Sequence, residues 1–171
     1  MEEFVRKILA KIGIDSDRFV LKWASAAEGP RFVKLITDFT AKIKSLGPLG
    51  EPGGVSKDEL QIKLLAARSA LEKAKLRTGL GNLTKGFRKE GDYSDQQIKN
   101  KVNEKLTKSI GTEIDRNETL LRIQKQGPIA FDELTKKIGV SGTDIEKYVS
   151  AFNKKGLVTE TDGRLSATSS E

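Results

Sequence analysis

The chemistry open to this chain is limited first by two residue types that it does not contain. Its 171 residues include no cysteine and no histidine. Thiolate and imidazole are the usual protein ligands of zinc, haem and iron–sulfur clusters, and imidazole is the commonest general base at neutral pH. Disulfides, cysteine-bound clusters and Cys–His or Ser–His nucleophilic pairs are therefore excluded. Carboxylates and lysines are plentiful, but no spacing among them marks a nucleophile or an acid–base pair. Gly79-Leu-Gly81 and Lys85-Gly-Phe-Arg-Lys89 lack the G-x-x-x-x-G-K-[ST] spacing of a phosphate loop. The expectation is a chain that binds no cofactor itself and is not catalytic alone.

Three sets of residues are singled out, the first of them only by the family resemblance described below. Trp23-Ala-Ser25-Ala-Ala-Glu28-Gly29 places an aromatic ring, a hydroxyl and a carboxylate ahead of a helix. Its purely structural alternative has Trp23 in the core, Ser25 or Glu28 as a cap and Gly29 in a tight turn. Lys85, Arg88 and Lys89 form an exposed basic segment. Ser141, Thr143, Lys147, Lys154 and Lys155 lie on the solvent side of a helix that, in a helix-turn-helix module, enters the major groove. The last two sets are candidate contacts for nucleic acid or for a protein partner.

Charge weighs against nucleic acid. From Thr112 to Glu171 there are nine Lys/Arg against ten Asp/Glu, whereas phosphate binding normally requires a basic face. The positive excess lies elsewhere, with thirteen basic and eight acidic residues over 51–111 and nine and six over 1–50. Acids are interspersed throughout, as on a solvated helix surface or a dock for an acidic subunit. No apolar run approaches the roughly 20 residues of a membrane span, and the amphipathic start differs from a secretory signal. The expected location is the cytoplasm.

The elements that position these residues can be read from periodicity. The first block, residues 1–48, reads helix, strand, helix. Phe4, Val5, Ile8, Leu9 and Ile12 repeat at helical spacing up to Gly13, a left-handed cap. Phe19, Leu21 and Trp23 alternate as in a strand. Phe32, Ile36, Phe39 and Ile43 form one stripe of a second helix. A linker follows at 49–55, overlapping a stretch from Leu46 to Gly54 that holds two prolines and four glycines. Residues 56–111 read as a basic helical region with capping boxes at Ser56–Glu59 and Ser94–Gln97. A glycine-rich break at Gly79, Gly81 and Gly86 separates two helices; the second, with Ile98, Val102, Leu106 and Ile110, is expected on a surface. Residues 112–171 have the pattern of a winged helix: a helix through Leu120 and Ile123, a short extended piece at 128–130, helices over 131–138 and 141–155, and strands at 157–161 and 164–167. Asp162-Gly163 turns the hairpin, and the last residues from Ala167 look frayed. The fold class expected is mainly α with small β elements.

Within the first block, Ile12-Gly-Ile-Asp15, Arg18-Phe-Val-Leu-Lys-Trp-Ala-Ser-Ala-Ala-Glu-Gly29, and the helix ending Ile43-Lys-Ser-Leu-Gly-Pro48 resemble the C-terminal end of the methyl-viologen-reducing (F420-non-reducing) hydrogenase delta-subunit family. The resemblance covers about the first 48 residues. It implies coupling of hydrogenases or formate dehydrogenases to heterodisulfide reductase, and Trp23, Ser25, Glu28 and Gly29 as its motif at a strand-to-helix turn. The family binds a [2Fe–2S] cluster through cysteines upstream of this segment; this chain has none. Cluster binding therefore does not carry over.

A lone strand leaves its N–H and C=O groups seeking partners. Residues 18–24 are thus expected to pair with a strand of an iron–sulfur or flavin oxidoreductase subunit, or with a second copy of this chain. The resulting expectation is an accessory or split subunit of a heterodisulfide reductase/hydrogenase-type electron-transfer complex, acting in docking and assembly. The alternative is a DNA-binding winged-helix regulator.

Overall fold

A computed structural model describes residues 1–50 and 56–168. Most of the expected linker at 49–55, and the tail beyond Thr168, lie outside the described residues. The fold is mainly α-helical with a small antiparallel sheet. It separates into two compact units that interleave along the chain. One comprises Met1–Leu60 and Thr78–Ile110; the other comprises Gln61–Arg77 and Gly111–Glu171. Residues 61–77 of the region read as 56–111 belong to the second unit, and the boundary read at 111/112 lies one residue from a division that itself falls inside the helix Thr107–Gln126.

The first unit begins with α1 (Glu2–Lys11), whose Phe4 and Ile8 are buried. Gly13 ends it with φ +79°, and the Ile14 N–H donates back to the Leu9 carbonyl, a left-handed exit as expected. A 3-10 turn at Ser16–Arg18 follows, and then an extended passage to Ala24. The strand expected at 18–24 is not formed: among the described residues no strand pairs with this passage. Extended backbone becomes sheet only when a second strand supplies the ladder, and alternation in the sequence cannot supply that strand. Helix α2 (Gly29–Ser45) comes next and contains no buried residue.

The glycine-rich break also requires correction. Helix α4 (Ala74–Glu90) runs uninterrupted through Gly79, Gly81 and Gly86. Gly79 serves a close approach: a Cβ there would stand 3.0 Å from Leu106 Cδ2. Leu83 and Phe87 continue the buried stripe, so Phe87 belongs inside and only its basic neighbours are exposed. Ser94 caps α5 (Asp95–Lys105) by accepting from the Gln97 N–H. Val102, Leu106 and Ile110 are almost wholly buried, so the stripe expected on a surface is core. Its lysines lie on the other flanks; Lys101, for instance, pairs with Glu90.

The second unit takes in most of α3 (Lys57–Glu72) and α6 (Thr107–Gln126). Ile62, Ala66 and Ala70 form the most buried stripe of α3, while Leu64 is exposed. From α6 the chain continues through β1 (Ile129–Ala130), α7 (Phe131–Ile138), α8 (Gly142–Asn153), β2 (Val158–Thr161) and β3 (Arg164–Ala167). The strand order is β1-β3-β2, with Ile129 opposite Leu165 and Glu160 opposite Leu165 across the two antiparallel pairs. Asp162 and Gly163 both take positive φ, 50° and 71°, as a tight hairpin turn with matching twist requires. Ile123, Ile129, Leu134, Ile145, Val149, Phe152, Val158 and Leu165 make one core.

Candidate functional site

The motif around Trp23 is shaped by hydrogen bonds within a few residues. The Glu28 N–H donates to the Ser25 carbonyl at 3.0 Å, closing a turn. The Ser25 N–H donates in return to Glu28 Oε2 at 2.7 Å, and Arg31 Nη1 donates to Glu28 Oε1 at 2.7 Å. The Ser25 amide, the Arg31 guanidinium and the Ser25 hydroxyl together hold the Glu28 carboxyl below its ordinary range. Glu28 thus closes the turn ahead of α2 from the N-cap position without bonding to a helical N–H, and Pro30 stands in the first turn of α2, where its missing N–H costs no helical bond. Gly29 is the first helical residue, has ordinary φ, and has open space where a Cβ would stand. The tight-turn role does not apply to it.

The rest of this region is unusually uncovered. Trp23 is 80 % exposed, against the expectation of a core residue. Phe32, Val33 and Ile36 of α2 are each at least half exposed, and Leu21 is 37 % exposed. Burial of such side chains is worth roughly 1.5–3 kcal/mol each. Monomers seldom leave several together in water.

The surrounding frame is well fixed. Arg18 Nη2 donates to the Leu46, Gly47 and Pro48 carbonyls at 2.8, 2.7 and 3.2 Å. One guanidinium thus holds the C-cap carbonyl of α2 and the next two carbonyls beyond it. Asp17 pairs with Lys42 of α2 at 2.8 Å and with Arg6 of α1 at 3.3 Å, and Lys42 and then Arg6 lower its pKa. A cleft of about 670 Å³ runs beside the extended passage, bordered by Leu21, Lys22 and Trp23 and by residues of α1 and α5. This clamp and cleft are what the sequence did not announce. Arg18 was the only signal for them.

The other candidate residues fall into different units. Lys85, Arg88 and Lys89 are exposed on the last turns of α4 in the first unit, where positive charge suits the helix dipole. Ser141, Thr143, Lys147, Lys154 and Lys155 lie on or beside α8 in the second. Ser141 is committed to its cap: its Oγ accepts from the Asp144 N–H at 3.2 Å and donates to Asp144 Oδ2 at 2.7 Å. Lys147 stands 3.7 Å from Asp144. A cleft of about 620 Å³ against α8 has Phe131, Val149 and Leu165 in its lining, with Glu146, Glu160 and Lys154. Two carboxylates there oppose a phosphate backbone.

Sequence reading also missed a buried polar row on α6. Arg122 and Thr119 are fully buried, with Glu113, Asp115, Asn117 and Glu118 nearly so. Arg122 donates through Nη2 to Glu118 Oε1 at 2.7 Å, and burial raises the pKa of Glu118 despite that partner. Lys73 and Lys75 reach Asn117 and Glu113 at 2.6 and 2.7 Å. The chain does not fit a cysteine-ligated cluster, and among the described residues no group of three or more acids is placed to hold a metal ion. No helix among them is long and apolar enough to cross a membrane.

Comparison with known proteins bears on residues 1–47, which match the family model for the methyl-viologen-reducing hydrogenase delta subunit. A ferredoxin:CoB-CoM heterodisulfide reductase subunit of Methanosarcina mazei is 40 % identical over 48 residues, which are 28 % of this chain and 6 % of that protein. An F420-non-reducing hydrogenase iron-sulfur subunit of Archaeoglobus profundus is 39 % identical over 46 residues, 27 % of this chain and 34 % of that one. The vhu iron-sulfur subunit of F420-non-reducing hydrogenase from Methanocaldococcus jannaschii is 38 % identical over 45 residues, 26 % and 34 %. The chain thus spans between about a twentieth and a third of these curated relatives. No solved structure matches it.

Proposed function

We propose that this chain is an accessory or split subunit of a cytoplasmic electron-transfer complex of the hydrogenase or heterodisulfide reductase kind. It acts in docking and assembly and carries no redox group of its own. The observation that supports this most is the coincidence of two properties in one segment. Residues 1–47 are similar to a part of hydrogenase and reductase subunits, and the same residues leave Trp23, Phe32, Val33 and Ile36 uncovered. In those relatives the matched segment is 6 % and 34 % of the polypeptide. Here the apolar face belongs to a protein without thiols, and in this reading the electrons are carried by whatever covers it. Residues 112–171, read as a winged helix, serve as a further protein contact.

The chemistry of this role is positional. Glu28 and Pro30 set the direction of α2, Arg18 fixes its far end, and Trp23 and Phe32 present the surface to be buried. Purification from native cells through a tag on the full chain tests the reading. The expected result is co-purification of a protein with bound flavin or iron and acid-labile sulfide. Recovery of neither, from cells shown to contain the tagged chain, contradicts it.

A further inference from the structure

The passage from Phe19 to Ala24 leaves the 3-10 turn in extended backbone, contains no helix, turn or bend, and lacks the neighbour that a strand requires. Phe19 lies at φ −129° and ψ 132°, and no backbone bond within the described residues links Val20 to Ala24 with another strand. Beside the passage lies the open cleft of about 670 Å³ that Leu21, Lys22 and Trp23 help to line. An unpaired edge next to a groove is the arrangement used in strand addition, in which main-chain bonds hold an extended segment and alternate side chains enter pockets.

We infer that Val20–Ala24 is the acceptor edge for a β-strand supplied by a different protein, and that acidic residues flank that strand. The inference rests on the docking role proposed above and names how the partner engages. Charge decides against a second copy of this chain. Lys22 stands at the middle of the edge, so antiparallel self-pairing brings two Lys22 side chains opposite or diagonal to each other, which is destabilising. Residues 1–50 carry nine basic and six acidic side chains, so that repulsion extends beyond the edge. An acid opposite Lys22 removes it, and an apolar neighbour on the same strand covers Trp23.

Hydrogen exchange on the free full chain and on the complex captured through it tests this directly. In the free chain the amides of residues 20–24 exchange fast; in the complex they slow by at least about tenfold. Lys22→Pro removes one ladder donor at a position where proline fits extended backbone. It melts like the parent chain and captures about tenfold less partner. Lys22→Glu, which keeps the N–H, also weakens capture. If a flavin or iron–sulfur protein is captured equally by all three chains and residues 20–24 still exchange fast, the strand is overturned while the docking role stands. Capture by none of them removes the docking role and this inference with it. Slow exchange in a free chain that sediments as a dimer assigns the edge to a second copy and overturns it as well.

Discussion

Trp23 is the chain's one tryptophan, so its fluorescence reports the face proposed for docking and no other. At 80 % exposure its emission in the free chain should be that of indole in water, and acrylamide should quench it almost as it quenches the free amino acid. A blue-shifted, protected emission would mean that something already covers the face. The purely structural alternative for the Trp23–Gly29 motif puts this residue in the core. That expectation fails because burial of an aromatic depends on which surface is present to receive it, a property of the assembly rather than of local spacing. Caps are more legible because their partners are a few residues away. Ser94 caps α5 as expected and Ser141 caps α8, and Glu28 closes its turn on Ser25. Its depressed pKa carries a sign: the stabilisation is present above the ordinary glutamate pKa and lost as pH falls through the lower folded value. The Ser25 amide proton should therefore titrate by NMR with a midpoint below that of an unperturbed glutamate. A midpoint at or above it would contradict the bond.

Elements built from local pattern and turn chemistry are readable in the sequence, and those decided by long-range approach are not. The α7–α8–hairpin run is close to its expectation because Gly139, Ser141 and Asp162-Gly163 each demand one local conformation. The three glycines of α4 look like a break but lie within one helix, since buried Leu76, Leu83 and Phe87 continue its stripe. Their separate roles are testable. At Gly81 and Gly86 nothing stands within 4 Å of the place an added methyl would take, so alanine should stabilise by about 0.5–1 kcal/mol at each. At Gly79 the same change meets Leu106 Cδ2 at 3.0 Å and should gain less than either, or lose. Equal gains at all three positions in denaturant titrations would remove the close-approach role of Gly79.

For the whole molecule, an excess of positive charge does not make a nucleic-acid surface. In the second unit, α8 keeps Asp144 and Glu146 among its lysines, and the cleft against it carries Glu146 and Glu160. Phosphate contacts weaken steeply with salt, so any DNA shift seen at low salt should vanish near physiological ionic strength; a shift that persists and depends on base sequence would favour a regulator. The charge balance is legible from composition, whereas the interleaving of the two units is not, because α3, α4 and α6 each cross from one unit to the other. The central claim, that this thiol-free chain works by joining redox-active companions, is tested most directly by native mass spectrometry of the particle purified from its own cells. The predicted spectrum contains this chain together with at least one larger subunit bearing flavin or an iron–sulfur cluster. A spectrum showing only the 18.8 kDa chain or its multiples would contradict the account.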